Sequence, residues 1–380
     1  MVSAMRLATV GVSNMKQALS LFRDIMKLKV ERTGAVPQSL LKAWKVAPST
    51  KAAMTILSCK GYAMGQLRLV EFTPTPTQKV RLDFGAINAD SGTDVGPKAI
   101  DFYVADPILP SVRKIESAGY KFRSQPVRHQ IGNTISEECL FSGPDGVPVL
   151  IMVGHRHFPT SLRAGSPDGP FSEVPTISVV AGDLARTRAF YSGVLGLTAV
   201  TDAETPEAYR SLVNSLTGTP DGTRIQFLLY ADPPEASGKI LCVHFFNRTG
   251  KRLTGRMKPG NLGFSLLTHD AKNLDDLQQK LRVFGAEIVT PPTLITDDGK
   301  PYKLMLAKGP NEEMFEFTQA VAVPSKGRLA PVAKAKTNKA KPKAKKKTTP
   351  KKAASKKTAA KKKPVAKKKA VKKKAVKKKG

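Results

Sequence analysis

The residues able to bind a metal or attack a substrate are few in this chain, and their spacing is unpromising. There are three cysteines, Cys59, Cys139 and Cys242, each set among apolar neighbours, and none forms a C-x-x-C pair of the kind that holds zinc or cycles a disulfide. Such usage fits a reducing compartment. Of the five histidines, His155 and His157 form an H-x-H pair within a polar stretch, where two solvated imidazoles are expected. His129, His244 and His269 lie in strands or loops or beside a helix start, and read as structural or exposed. No Gly-x-Ser-x-Gly elbow, P-loop or dinucleotide fingerprint is present. The single tryptophan, Trp44 in LLKAWKV, reads as a packing anchor or cavity wall.

The densest chemistry in the sequence is cationic. Residues 326–380 carry 26 of the 63 Lys and Arg and none of the 30 Asp and Glu, so the rest of the chain holds 37 basic against 30 acidic groups and is nearly balanced. From Pro331 onward, blocks such as AKKK, PVAKKK and AVKKK recur, placing Lys345, Lys346, Lys347, Lys361, Lys362, Lys363, Lys367, Lys368, Lys369, Lys372, Lys373, Lys374, Lys377, Lys378 and Lys379 in short runs. A segment so poor in apolar surface and so self-repelling cannot offset the entropy of ordering, and a disordered tail over 321–380 is expected. In composition it resembles the carboxyl tails of linker histones and bacterial histone-like proteins. Lysines laid near phosphates release condensed counterions, giving nonspecific, salt-sensitive binding to nucleic acid. No interleaved aromatic or arginine pattern is present to read bases. A solubilising tail, or one adhering to ribosomes, polyphosphate or an acidic membrane, is the competing reading.

The preceding residues exceed what one hydrophobic core usually covers, and the Pro-, Gly- and Ser-rich stretch at 156–172 divides them into domains 1–155 and 173–320. Four related segments appear in this region. Each opens with a short apolar strand and passes into an amphipathic helix: LATVGVSN, AIDFYVAD, TISVVAGD and FSLLTHD. Asn14, Asp106, Asp183 and Asp270 are the expected helix caps, because a short side-chain oxygen can accept from free first-turn amides. Apolar residues then recur near a 3.6-residue period, as in Leu274, Leu277, Leu281 and Phe284. Gly119 and Gly285 supply left-handed stops. Each segment closes on strands and turns, as in GPDGVPVLIMV, TPDGTRIQFLLY and GPNEEMFEFT, with AMGQLRLVEFT less regular. The unit is βαβββ, four times over, an α+β architecture. No leader-like or membrane-spanning run is expected.

This order resembles the vicinal oxygen chelate superfamily of glyoxalases, bleomycin-resistance proteins and extradiol dioxygenases. The clearest match is AFYSGVLGLTAV, residues 189–200; LFRDIMKLKV in the first segment keeps the apolar pattern but has Lys27 where glycine is usual. The resemblance implies two tandem glyoxalase-like domains, in each of which two units pair into an eight-stranded sheet curved around a cavity. It also implies metal ligands on the first and last strands of the units. Counting seven residues back from each cap gives Leu7, Ala99, Thr176 and Gly263, and the last-strand positions read as Glu71, Leu150, Gln226 and Glu316. Two carboxylates do not make a divalent-metal site, so neither a metal nor any other cofactor is expected. Glu71 and Glu316 remain as catalytic or ligand-binding candidates. Strand alternation adds Thr9, Asp101, Tyr103, Thr176, Ser178, Gln226 and Ser265 to the implied cavity faces.

The function expected from the sequence is a small-molecule-binding protein without the usual metal site, tethered to nucleic acid or another polyanion by its tail. A divergent lyase- or dioxygenase-like enzyme and a histone-like nucleoid-associated protein are the alternatives, with enzymatic activity left open. The expected partners are nucleic acid and an unknown small molecule. A cytoplasmic, nucleoid-associated location and a monomer or homodimer complete the expectation.

Overall fold

The computed structural model describes residues 1–59, 62–82, 84, 86, 88–156, 162, 170–233 and 235–321. The lysine runs, their expected disorder, and His157 lie outside these residues. Met1–Val323 form one compact unit.

The four repeats are present. The first comprises β1 (Val2–Val12), α1 (Met15–Leu19), β2 (Lys29–Ala35), α2 (Gln38–Ala43), β3 (Lys51–Ser58) and β4 (Gln66–Thr73). The second has β5 (Gly96–Tyr103), α3 (Leu109–Ser117), β6 (Val127–Ile131), β7 (Thr134–Ser142) and β8 (Pro148–Arg156). The third runs through β9 (Thr176–Ala181), α4 (Leu184–Arg188), β10 (Thr198–Glu204), α5 (Glu207–Thr217), β11 (Ile225–Ala231) and β12 (Lys239–Phe245). The fourth contains β13 (Gly263–Ala271), α6 (Leu274–Phe284), β14 (Ile288–Asp297), β15 (Lys300–Lys308) and β16 (Met314–Ala320). The first and third units thus carry an inserted helix, α2 or α5, before their third strand.

Two of the expected caps hold. The Asn14 side chain accepts from the Gln17 amide, and that of Asp183 accepts from Arg186. Asp270 does not cap, because β13 continues past it to Ala271; its carboxylate pairs with Arg6 at 3.0 Å, and Asn273 accepts from the Asp275 and Asp276 amides instead. Asp106 likewise precedes a cis proline bond to Pro107, and α3 starts after Ile108. At the end of the first helical segment Lys27 takes the left-handed conformation, φ +65°, that Gly196 takes at the matching place in the third unit, φ +75°.

The pairing of units differs from the expectation of domains 1–155 and 173–320, each closing its own sheet. One sheet has the order β14-β15-β16-β13-β1-β4-β3-β2, joining the first unit to the fourth; the other, β10-β11-β12-β9-β5-β8-β7-β6, joins the second to the third. Both sheets therefore cross the 156–172 linker. Consecutive units meet instead through apolar side chains: Phe22 of the first lies 6.0 Å from Phe102 of the second, and Phe190 of the third lies 5.4 Å from Phe315 of the fourth. One continuous core unites all four units, and burying these faces is what holds the two sheets together. No helix among the described residues is long and apolar enough to cross a membrane.

Candidate ligand cavity

The register of the strands aligns the two concave faces position by position. Thr9 pairs with Arg68 across β1 and β4, Thr268 with Glu316 across β13 and β16, Asp101 with Leu150 across β5 and β8, and Ser178 with Leu241 across β9 and β12. Thr9, Ser178 and Thr268 each stand five residues before the cap Asn14, Asp183 or Asn273, and Asp101 stands five before Asp106. The repeats therefore place four residues at equivalent points in each sheet: Thr9, Arg68, Thr268 and Glu316 in one, and Asp101, Leu150, Ser178 and Leu241 in the other. Counting seven back was two residues too many.

In the first set the side chains satisfy one another. The Arg68 guanidinium donates to Thr9 Oγ1 at 2.9 Å, to Glu316 Oε1 at 3.0 Å and to Thr268 Oγ1 at 3.3 Å. Thr268 donates to Glu316 Oε1 at 2.8 Å, and the Trp44 indole N–H donates to Oε2 at 2.6 Å. Arg68 also lies over the Trp44 ring, 4.9 Å from its centroid. All five residues are buried. Trp44 reaches this face because α2 packs onto β14 and β15 of the partner unit. The middle of this sheet is filled by its own residues. Glu316, a catalytic or ligand-binding candidate in the sequence, is buried as the acceptor of an internal network.

The second sheet retains a cavity of about 110 Å³. Smaller side chains leave the room: Thr176 and Ser178 come from β9 and Thr201 from β10, while α5 supplies Leu216 and Thr217 where the other sheet receives tryptophan. Asp101 stands at its centre on β5, only 2 % exposed, and its Oδ1 has no hydrogen-bond partner. Burial, and secondarily the charge of Glu138, raises the Asp101 carboxyl well above the usual carboxylate range. Glu138 on β7 accepts from Ser136 Oγ at 2.5 Å. His129 on β6 places Nε2 3.4 Å from Glu138 Oε1, close enough to sense its charge but without a directed hydrogen bond. The Lys98 ammonium donates to the carbonyls of Gly92 at 2.9 Å and Thr217 at 3.1 Å, tying β5 to the end of α5.

The sequence candidates separate accordingly. Asp101, Tyr103, Thr176 and Ser178 all line this cavity. Thr9 joins Arg68 in the other sheet. Glu71 faces away from that network: three residues along the strand from Arg68, it accepts from the Met15 amide at 3.1 Å and serves the start of α1. Gln226 is on β11, the third strand of its unit and not the last, and it donates to Asp202 at 2.5 Å; its neighbours Phe227 and Leu229 are the cavity residues. Ser265 donates to the Thr9 carbonyl at 3.4 Å and lies outside both sets. Arg68, Thr268, Glu138 and Lys98 were missed, and His129, read as structural or exposed, is buried and borders the cavity. Alternation from Ser136 through Glu138 to Leu140 along β7 was the available signal.

A divalent metal needs about three oxygen, nitrogen or sulfur ligands. Across the four equivalent points, one sheet offers a guanidinium already paired to the single carboxylate, and the other offers one carboxyl and two leucines. Among the described residues no group of three His, Cys, Asp or Glu is placed to hold a metal ion. The donor sets do not fit the metal centre implied by the fold.

Residues 173–317 match the Glyoxalase/Bleomycin resistance protein/Dioxygenase superfamily. Solved structures extend the likeness of fold across both sheets. Glyoxalase I from Zea mays superposes with a TM-score of 0.55 at 13% identity, covering 83% of this chain and 92% of that one. A putative dioxygenase from Bacillus subtilis gives 0.53 at 11% identity, covering 84% and 86%. No curated protein sequence matches the chain. The fold is thus glyoxalase-like, with four βαβββ units in two eight-stranded sheets.

Proposed function

We propose that this chain is a glyoxalase/bleomycin-resistance-like small-molecule-binding protein that works without the usual metal centre and is tethered to nucleic acid or another polyanion by its lysine-rich carboxyl-terminal segment. The observation that carries the reading is the contrast between the two sheets: one concave face is closed by a satisfied network, while its equivalent keeps a cavity with an unpartnered carboxyl at the centre. A cavity with mostly apolar walls and a few convergent polar groups is the ordinary form of a ligand site. Among the described residues no three His, Cys, Asp or Glu gather to hold a metal ion, which supports a reading of binding by shape and hydrogen bonding.

The test is a thermal-shift screen of small molecules on the full chain, repeated on Ser178→Phe, which fills the cavity floor. Hits that stabilise the parent and lose their effect in the variant are expected. Hits that stabilise both equally would overturn the cavity as the site. Elemental analysis of the same protein, purified at high salt, is expected to find transition metal well below one per chain, and a stoichiometric ion would overturn the metal-free reading. For the tail, binding of a labelled oligonucleotide should weaken steeply as salt rises and vary little with base sequence; salt-insensitive binding would count against the tether.

A further inference from the structure

The charges around the cavity are already engaged. The Lys98 ammonium donates to the Gly92 and Thr217 carbonyls at 2.9 and 3.1 Å and lies 5.4 Å above the Phe245 ring. Glu138 accepts from Ser136 Oγ at 2.5 Å, stands 3.4 Å from His129 Nε2 and has a further partner besides. A guest therefore meets one ammonium and one carboxylate, each already bonded to the protein. Asp101 differs from both. It is 2 % exposed on β5, and its Oδ1 meets no hydrogen-bond donor. Burial first, and the Glu138 charge second, favour its neutral form. The walls beside it, Leu150, Phe227 and Leu241, are apolar.

An anion entering this space would have to draw the Lys98 ammonium off two carbonyls, and a cation would have to compete with the partners of Glu138. Either ion gives up its hydration on entry and finds no unengaged counter-charge to replace it. An uncharged guest avoids that cost. A neutral carboxyl presents an O–H donor and a carbonyl acceptor side by side, a pair that a hydroxyl or an amide can answer in both directions. We propose that the cavity takes an uncharged molecule with an apolar body and one hydroxyl or amide group, the polar group paired with Asp101 and the body lodged against Leu150, Phe227 and Leu241. This rests on the cavity being a ligand site at all.

The experiment is a ligand-observed NMR titration of the full chain, at salt high enough to screen the lysine runs, with probes of one shape: benzyl alcohol, benzamide, benzylamine, benzoate and toluene. The alcohol and the amide are expected to bind at least about tenfold tighter than the amine and the carboxylate. Asp101→Leu should weaken the alcohol and the amide about fivefold or more, while toluene, which has no group for Asp101 to meet, binds at least as well as in the parent and shows the cavity intact. Asp101→Asn keeps a donor and an acceptor without a charge and should hold alcohol and amide binding within about threefold. Binding of benzylamine or benzoate as tight as that of the alcohol overturns the uncharged assignment but leaves the cavity standing. Alcohol and amide binding that is unchanged in Asp101→Leu, or lost in Asp101→Asn, overturns it too, since the partner would then lie elsewhere or a charge would be needed. If no probe binds the parent, or all binding survives Ser178→Phe, the cavity reading itself falls with the assignment.

Discussion

Replacing Asp101 with asparagine keeps the size and shape of the side chain and removes its titration. Because burial and Glu138 raise the Asp101 carboxyl, there is a window, opening near the ordinary carboxylate value of about 4, in which the folded chain still holds this proton and the unfolded chain has lost it. Within that window the native state binds one more proton, so stability falls as pH rises, by about 1.4 kcal/mol per pH unit. Asparagine has no such slope. The stability of Asp101→Asn relative to the parent should therefore improve by about 1.4 kcal/mol for each unit of pH across the window. With an unfolding entropy of about 2 cal/mol/K per residue over the Met1–Val323 unit, that corresponds to about 2 °C in Tm per pH unit. Calorimetric melting of both proteins in steps from pH 4 upward, at fixed ionic strength and without ligand, measures it. A Tm difference that stays constant from pH 4 upward would refute the inference that burial raises this carboxyl.

Three further outcomes follow from the packing. Arg68→Met strands the Glu316 carboxylate in a buried site and should cost about 3–5 kcal/mol in chemical denaturation. Adding Glu316→Leu should recover much of that loss, whereas simple additivity of the two substitutions would show that they do not act as a pair. Lys27→Gly should stabilise the fold by about 0.5–1 kcal/mol, since an exposed lysine held at φ +65° gives up little packing and the left-handed strain disappears; a loss of stability would mean the lysine stem packs more than its exposure implies. The fragment 1–155 leaves β1 without β13 and β5 without β9, exposing the edges of two long strands, and should self-associate or aggregate. A soluble monomeric fragment with native-like near-UV circular dichroism would refute the pairing of first unit with fourth and second with third.

The fourfold unit was legible because it is local. Strand alternation, the Asn14 and Asp183 caps and the 3.6-residue helical stripe each depend on neighbouring residues, and a repeat amplifies such signals. Unit pairing was not legible, because β1 must choose between β5 and β13 as the partner that completes its sheet, and both are apolar strands of the same kind. The site suffered from a smaller error with a larger effect. Taking Asp270 in place of Asn273 as a cap, and counting seven residues back, shifted the ligand-bearing positions off Thr9, Asp101, Ser178 and Thr268. Alternation still recovered Thr9, Asp101 and Ser178, because an error of two residues leaves a strand residue on the same face. Glu71 shows the opposite case: an odd displacement of three residues from Arg68 puts a side chain on the other face, whatever its chemistry suggests. His129 and Glu138 come from the middle strands of their unit, which the search for first- and last-strand ligands passed over.

The divergence of the two sheets has an energetic reading. Equivalent positions hold complementary charges in one and mismatched groups in the other. Around Glu316, both carboxylate oxygens are matched by donors from Arg68, Thr268 and Trp44, so the network rigidifies its sheet and leaves nothing for a guest to satisfy. Around Asp101, the equivalent positions are Leu150, Ser178 and Leu241, and an unmet buried acceptor of this kind costs about 1–3 kcal/mol. A fold that can close one such face with an arginine and a tryptophan has the means to close the other. The open face therefore keeps a local cost that a bound guest would return as affinity, which is why the proposed ligand site is set at the unsatisfied carboxyl and not at the satisfied one.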